Sequence, residues 1–120
     1  MGFFGSVPFN TAQASYAWMG EGGSPGAFFV KVAGDSKNFT YGISLERDPK
    51  WVGGLKVDVV GWTGPLGEGT TPYTVVHSFP GVYVPKITVS GANQTILIDV
   101  KEIGADEADD FVQSESQAAA

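Results

Sequence analysis

From Ala27 onward, apolar side chains return at every second residue, and each alternating run is cut off by Gly, Pro, Asn or Asp. Phe28, Val30 and Val32 alternate with Phe29 and Lys31; Phe39, Tyr41, Ile43 and Leu45 alternate with Thr40, Gly42, Ser44 and Glu46. Leu55, Val57 and Val59 alternate with Lys56 and Asp58, Tyr83, Ile87 and Val89 oppose Lys86 and Thr88, and Ile96, Ile98 and Val100 oppose Asp99 and Lys101. A period of two is the geometry of a strand with one dry and one wet face, and no window sustains the 3.6-residue period of a helix. The intervening segments, Gly34 to Asn38, Asp48 to Gly54, Gly64 to Pro72, Pro80 to Gly81 and Gly91 to Asn93, carry turn chemistry. Six or seven short strands at even spacing predict an all-β chain, with two facing sheets favoured over a closed barrel. The adjacent apolars Val59 and Val60 shift the phase toward Trp62, the mark of a bulge or of a strand end covered on both faces.

A chain of 120 residues is one domain, large enough to bury a core without disulfides or metal. It has no Cys, which removes disulfide and thiolate-metal frameworks. With 13 acidic against 7 basic side chains, the net charge of -6 repels phosphate backbones and anionic lipid, so neither nucleic acid nor a membrane surface is an expected partner. The segment after Met1 has no Lys or Arg and no sustained apolar stretch, so no secretory signal is readable. Synthesis and assembly in the cytoplasm are the expectation.

The organisation expected is an arm over residues 1–26, a sandwich over 27–104 and an acidic tail over 105–120. The arm is rich in Gly, yet it also carries Phe3, Phe4, Phe9, Tyr16 and Trp18. Solvated linkers rarely hold five aromatics. Two uses are open: the arm folds back and closes the core, with Ser15 to Met19 as a first strand, or it docks on another subunit, where aromatics contribute disproportionately to affinity. Trp51, flanked by Lys50 and Gly53-Gly54, has three uses: stacking on a sugar, packing at a subunit contact, or capping the core. Phe3, Phe4, Phe9, Tyr16, Trp18 and Trp51 are therefore the candidate partner-binding residues.

Catalytic raw material is thin. The chain has one His and no Gly-x-Ser-x-Gly elbow, and His77, expected at the entrance to a turn, reads as a structural imidazole. Glu46, Asp48, Asp58 and Glu68 read as surface carboxylates, with Asp58 facing outward from its strand. The tail acids Asp106, Glu107, Asp109 and Asp110 lack the spacing and turn glycine of a calcium loop. Asn38-Phe39-Thr40 and Asn93-Gln94-Thr95 match the N-glycosylation pattern, with chance the better account. No catalytic residue, metal site or cofactor is expected.

From Trp62 to Val89 the chain resembles the PKD family of immunoglobulin-like domains. Trp62 stands at the end of a strand, Gly67-Glu68-Gly69 takes the place of the Gly-Asp-Gly turn, and His77-Ser78-Phe79 that of His-Thr-Tyr. Pro80-Gly81 with Tyr83, Ile87 and Val89 completes the pattern. Pro85 falls where an inward apolar is usual, which predicts an edge or a bulge there. The resemblance implies an antiparallel sandwich of about seven strands, used as a non-catalytic spacer or adhesion module on bacterial surfaces and secreted enzymes, or as an accessory domain on phage heads and tails. Together with the missing export signal, it makes a phage virion protein the leading expectation: capsid decoration first, tail-associated second. The partner would be a major capsid or tail protein, and self-association is a further option. The alternative is a carbohydrate-binding or adhesion module of a secreted or cell-surface bacterial protein.

Overall fold

The computed structural model describes residues 3–18, 26–52, 54–64 and 69–103, so the acidic tail 105–120 and the turn residues Gly67 and Glu68 lie outside the described residues. Among these residues the chain is all-β, with eight strands and no helix. They are β1 (Phe3–Ser6), β2 (Thr11–Ala17), β3 (Ala27–Lys37), β4 (Thr40–Arg47), β5 (Lys56–Thr63), β6 (Thr70–Pro80), β7 (Lys86–Ser90) and β8 (Thr95–Ile103).

The scaffold is one long antiparallel ribbon folded on itself. β3 pairs with β6 from Ala27↔Pro80 to Lys37↔Thr70, and β4 pairs with β5 from Thr40↔Thr63 to Arg47↔Val57. Only Asn38 and Phe39 separate β3 from β4, so the same two chain directions continue around a corner. Gly34 to Lys37, expected as a turn, therefore belong to β3. The corner is tied by Asn38 N–H donating to the Gly69 carbonyl at 3.2 Å and Gly64 N–H donating to the Phe39 carbonyl at 3.1 Å. Phe39 has φ 70°, a left-handed conformation that costs an L-residue about 1–2 kcal/mol.

Beyond the corner β4 carries a bulge. The register passes from Tyr41↔Trp62 to Ser44↔Val60, setting Gly42 and Ile43 against Gly61 alone. Gly42 at φ 62° supplies the left-handed turn that such a bulge needs. Tyr41 and Ser44 thus share the outer face although they are three residues apart. The expected dry face of Phe39, Tyr41, Ile43 and Leu45 is split: Leu45 is buried and Ile43 half-buried against the core, whereas Phe39 and Tyr41 are exposed. Sequence placed the phase change in β5 at Val59 and Val60; the irregularity lies in its partner strand.

The two halves of the ribbon belong to two sheets, and the chain ends stitch them together. On the edge of β5 away from β4, β1 pairs across Val60 to Thr63 and β7 runs parallel across Lys56 to Asp58. β8 pairs with β7 through Asp99 and then, from Val100 to Ile103, lies parallel to β2 in the second sheet. β2 in turn pairs antiparallel with β3. The result is a mixed sheet curled into a half-barrel, compatible with a sandwich. The two parallel pairings differ from the purely antiparallel arrangement expected. They arise because β8 and the β1–β2 segment both change sheets, which lets strands distant in sequence meet in the same direction. Pro85 makes neither an edge nor a bulge: β7 begins after it, between β5 and β8, and the Pro85 carbonyl accepts from Val100 N–H at 2.9 Å.

Residues 3–18 are thus part of the sheets. The crossing from β1 to β2 is anchored by Val7 N–H donating to the Val59 carbonyl at 2.9 Å and Asn10 N–H donating to the Ala33 carbonyl at 2.8 Å. Between them Phe9 sits in the core, and its backbone is held by the β7–β8 turn. Asn93 Oδ1 accepts from Phe9 N–H at 3.0 Å, while Asn93 Nδ2 and Gln94 Nε2 both donate to the Phe9 carbonyl at 2.9 and 2.8 Å. Asn93→Ala leaves that carbonyl a donor but orphans the N–H, so it should cost about 1–3 kcal/mol. The expected readout is a lower urea midpoint at unchanged slope.

Candidate binding surfaces

Three aromatic rings stand side by side on the outer face of the first sheet, next to the corner. Phe4 on β1 is paired with Trp62 on β5, which is paired on its other side with Tyr41 on β4. Adjacent strands are about 4.8 Å apart, so the row spans roughly 10 Å of backbone. The Phe4 and Trp62 rings meet at 5.1 Å and 57°. All three remain open to solvent, at 49% for Phe4, 42% for Trp62 and 57% for Tyr41, and Phe39 at the corner is exposed as well. Below the row lie Ser6, Val60 and Ser44, paired across the same three strands, and beyond them Glu46 opposite Asp58. The surface is an uncharged aromatic strip bounded by hydroxyls and acids.

The six expected partner-binding aromatics fall in different places. Phe4 lies on this strip, whereas Phe3, exposed and paired with Thr63, belongs to the other face of β1. Phe9 and Tyr16 are both 0% exposed and pack within the chain's own core. The Tyr16 hydroxyl accepts from Gly26 N–H and donates to the Gly81 carbonyl, each at 2.6 Å, and its ring meets Phe28 edge-on at 4.8 Å. Trp18, half exposed at the end of β2, covers that tyrosine at 4.9 Å and lies 6.0 Å from Tyr83. Burial raises the Tyr83 pKa, with the nearby Glu102 adding to it. Trp62, Tyr41 and Phe39 were not among the expected site residues. The available signal was Gly42, because an isolated Gly in a strand marks a bulge and a change of face.

Trp51 stands at the far end of the same hairpin. Arg47 lies six positions beyond Tyr41 on β4, which is roughly 20 Å of strand. There a hollow of about 420 Å³ lies between the β4–β5 loop and the segment from Gly81 to Val84, lined by Arg47, Asp48, Trp51 and Leu55 among others. Arg47 Nη2 donates to the Pro80 carbonyl at 2.8 Å, bridging the free edges of β4 and β6. Asp48 accepts from Lys50 N–H at 2.9 Å and from Lys56 Nζ at 3.1 Å. Those two contacts, the backbone N–H first, hold its carboxyl below the usual carboxylate range. Lys56 also reaches Asp58 at 3.2 Å and stands 5.9 Å from the Trp51 ring centre, and the two carboxylates raise its own pKa.

A second concavity, beside Gly34 and Pro72, is lined by Tyr73. The Tyr73 hydroxyl donates to the Pro8 carbonyl at 2.6 Å, and burial, with a contribution from Asp35, pushes its pKa up to about 12. His77 lies within β6 opposite Val30, not at a turn, and its exposed ring stands edge-on to Phe79 at 4.8 Å. Among the described residues no group of three or more His, Asp or Glu side chains is placed to hold a metal ion. The chain shows no significant match to any protein-family model, curated protein or solved structure.

Proposed function

We propose that this chain is a non-enzymatic attachment module that docks on a protein partner through the row Phe4, Trp62 and Tyr41. The observation that carries this reading is the register itself. Three separate strands deliver large aromatic rings to one line of the outer face, and a bulge at Gly42 is needed to bring the third into it. Contiguous apolar surface on a small chain marks an interaction site, and Trp and Tyr are the residues most enriched at the energetic centre of protein interfaces. The acids beyond the row and the net charge of -6 favour a partner surface with little negative charge.

The setting is proposed on the sequence resemblance: a phage particle, with capsid decoration first, a tail-associated position second, and assembly in the host cytoplasm. A PKD-like relationship is part of the same proposal. The antiparallel β3–β6 and β7–β8 pairs support it, whereas the parallel β2–β8 and β5–β7 pairs are foreign to an antiparallel sandwich. A photoreactive phenylalanine analogue at position 41, in the full chain co-expressed with the products of neighbouring genes, tests the docking face. The expected result is a covalent adduct with one structural protein and none from the same probe at Ser78, on exposed β6. Equal labelling from both positions, or none from position 41, would contradict it.

A further inference from the structure

We propose that the hollow beside Trp51 is a saccharide subsite that takes a neutral pyranose ring. This inference goes beyond protein docking and does not depend on it. The two surfaces share no residue and lie at opposite ends of the β4–β5 hairpin.

A pyranose presents two chemistries at once: a C–H face that stacks on an aromatic ring, and an equatorial belt of hydroxyls that both donate and accept. The hollow offers a partner for each. Trp51 is 45% exposed, and Leu55 and Val84 supply apolar wall beside it. Arg47 donates one guanidinium N–H to Pro80, and a guanidinium carries five such hydrogens in a fixed fork that suits a vicinal pair of hydroxyl oxygens. Asp48 is ionised and positioned by Lys50 N–H and Lys56, and each of its carboxylate oxygens has a further lone pair for a sugar O–H.

Glycine keeps the space open. A Cβ at Gly81 would lie 3.3 Å from Arg47 Nη2 and 3.6 Å from the Phe28 ring, so a side chain there would crowd the guanidinium. The volume falls within the roughly 300–1,000 Å³ of small-ligand clefts.

Charge narrows the ligand class. Asp48 within the hollow and Asp58 one contact behind it oppose phosphate, sulfate or uronate groups, as does the overall charge. A free cation meets Lys56 already beside the indole. A neutral, hydroxyl-rich ring conflicts with none of these groups.

The test is affinity electrophoresis of the full chain through gels containing xylan, mixed-linkage β-glucan, galactomannan or amylose, followed by calorimetry on an oligosaccharide of any polymer that retards it. Retardation by at least one neutral polymer is expected. Trp51→Ala should weaken binding roughly tenfold or more at unchanged melting temperature, and Trp51→Phe should restore part of it. Arg47→Lys, which keeps the charge and loses the fork, should also weaken binding. Changes at Phe4 or Trp62 should leave it untouched, which separates failure of this site from failure of the docking face. Retardation by none of the four polymers, or retardation indifferent to Trp51→Ala, would overturn the proposal. So would a loss of the position-41 adduct in Trp51→Ala without any glycan binding, because that result assigns the hollow to a protein contact.

Discussion

Replacing Phe4 and Trp62 together by Ser should abolish partner binding while leaving the isolated chain folded. Buried aromatic anchors at interface centres contribute about 2 kcal/mol or more each, and about 1.4 kcal/mol is a factor of ten. Loss of one such anchor is thus worth on the order of thirtyfold, and loss of two neighbours carries a micromolar complex beyond ordinary detection. The cost to the fold is much smaller. Both side chains are about half exposed and neither belongs to the core. What the free chain loses is the tilted Phe4–Trp62 contact, a kind of pair worth roughly 0.5–1.5 kcal/mol. A titration with the protein captured from position 41, run beside a thermal melt, separates the two effects. Undiminished affinity in the double variant would remove the aromatic row from the interface.

Tyr16→Ala should be the most damaging single change in the N-terminal third. Truncating a large buried ring costs about 3–5 kcal/mol, and here the change also orphans the Gly26 N–H and the Gly81 carbonyl, each at about 1–3 kcal/mol. Against a typical total stability of about 5–15 kcal/mol, that leaves the variant at or below the threshold of folding at room temperature. Tyr16→Phe keeps the ring against Phe28 and Tyr83 but orphans the same two groups, so it should cost about 2–6 kcal/mol, less than Tyr16→Ala by the contribution of the ring. Circular dichroism against denaturant distinguishes them. A fully stable Tyr16→Ala chain would mean that Tyr16 is not core, and that the N-terminal aromatics are free to serve a partner after all.

Much of the architecture was legible because alternation is a local signal. β3, β5, β7 and β8 follow from runs such as Phe28-Val30-Val32 and Ile87-Val89, where each apolar residue reports its own face. The strands in residues 3–18 were harder to see. Phe9 and Tyr16 are inward-facing, but β2 opens on Thr11, Ala12 and Gln13, which are exposed or half-buried, and the burial of Ala14 and Ser15 comes from two neighbouring strands and not from their own hydrophobicity. The parallel pairings carry no sequence signal either, since their partners lie more than 25 residues apart.

At the candidate surfaces the failure was one of phase. Tyr41 obeys the alternation of Ile43 and Leu45 on paper, and a single left-handed Gly42 moves it to the opposite face. Trp51 was recognisable as a loop tryptophan, but the Arg47, Asp48 and Gly81 groups around it are assembled by the approach of β4 to the end of β6, which no window of sequence displays.

Both the core role of Tyr16 and the assignment of docking to Phe4, Trp62 and Tyr41 depend on β2 lying between β3 and β8 in a single chain. Amides of a strand flanked on both sides are bonded alternately to one neighbour and the other, so none is left to exchange freely. Native-state hydrogen exchange on the isolated protein should therefore find the amides of Ala14 to Ala17 as protected as those of Val30 and Val32, opening only with global unfolding. Exchange of those β2 amides at the rate of an unstructured peptide, with β3 still protected, would show that the N-terminal segment is not part of the isolated fold.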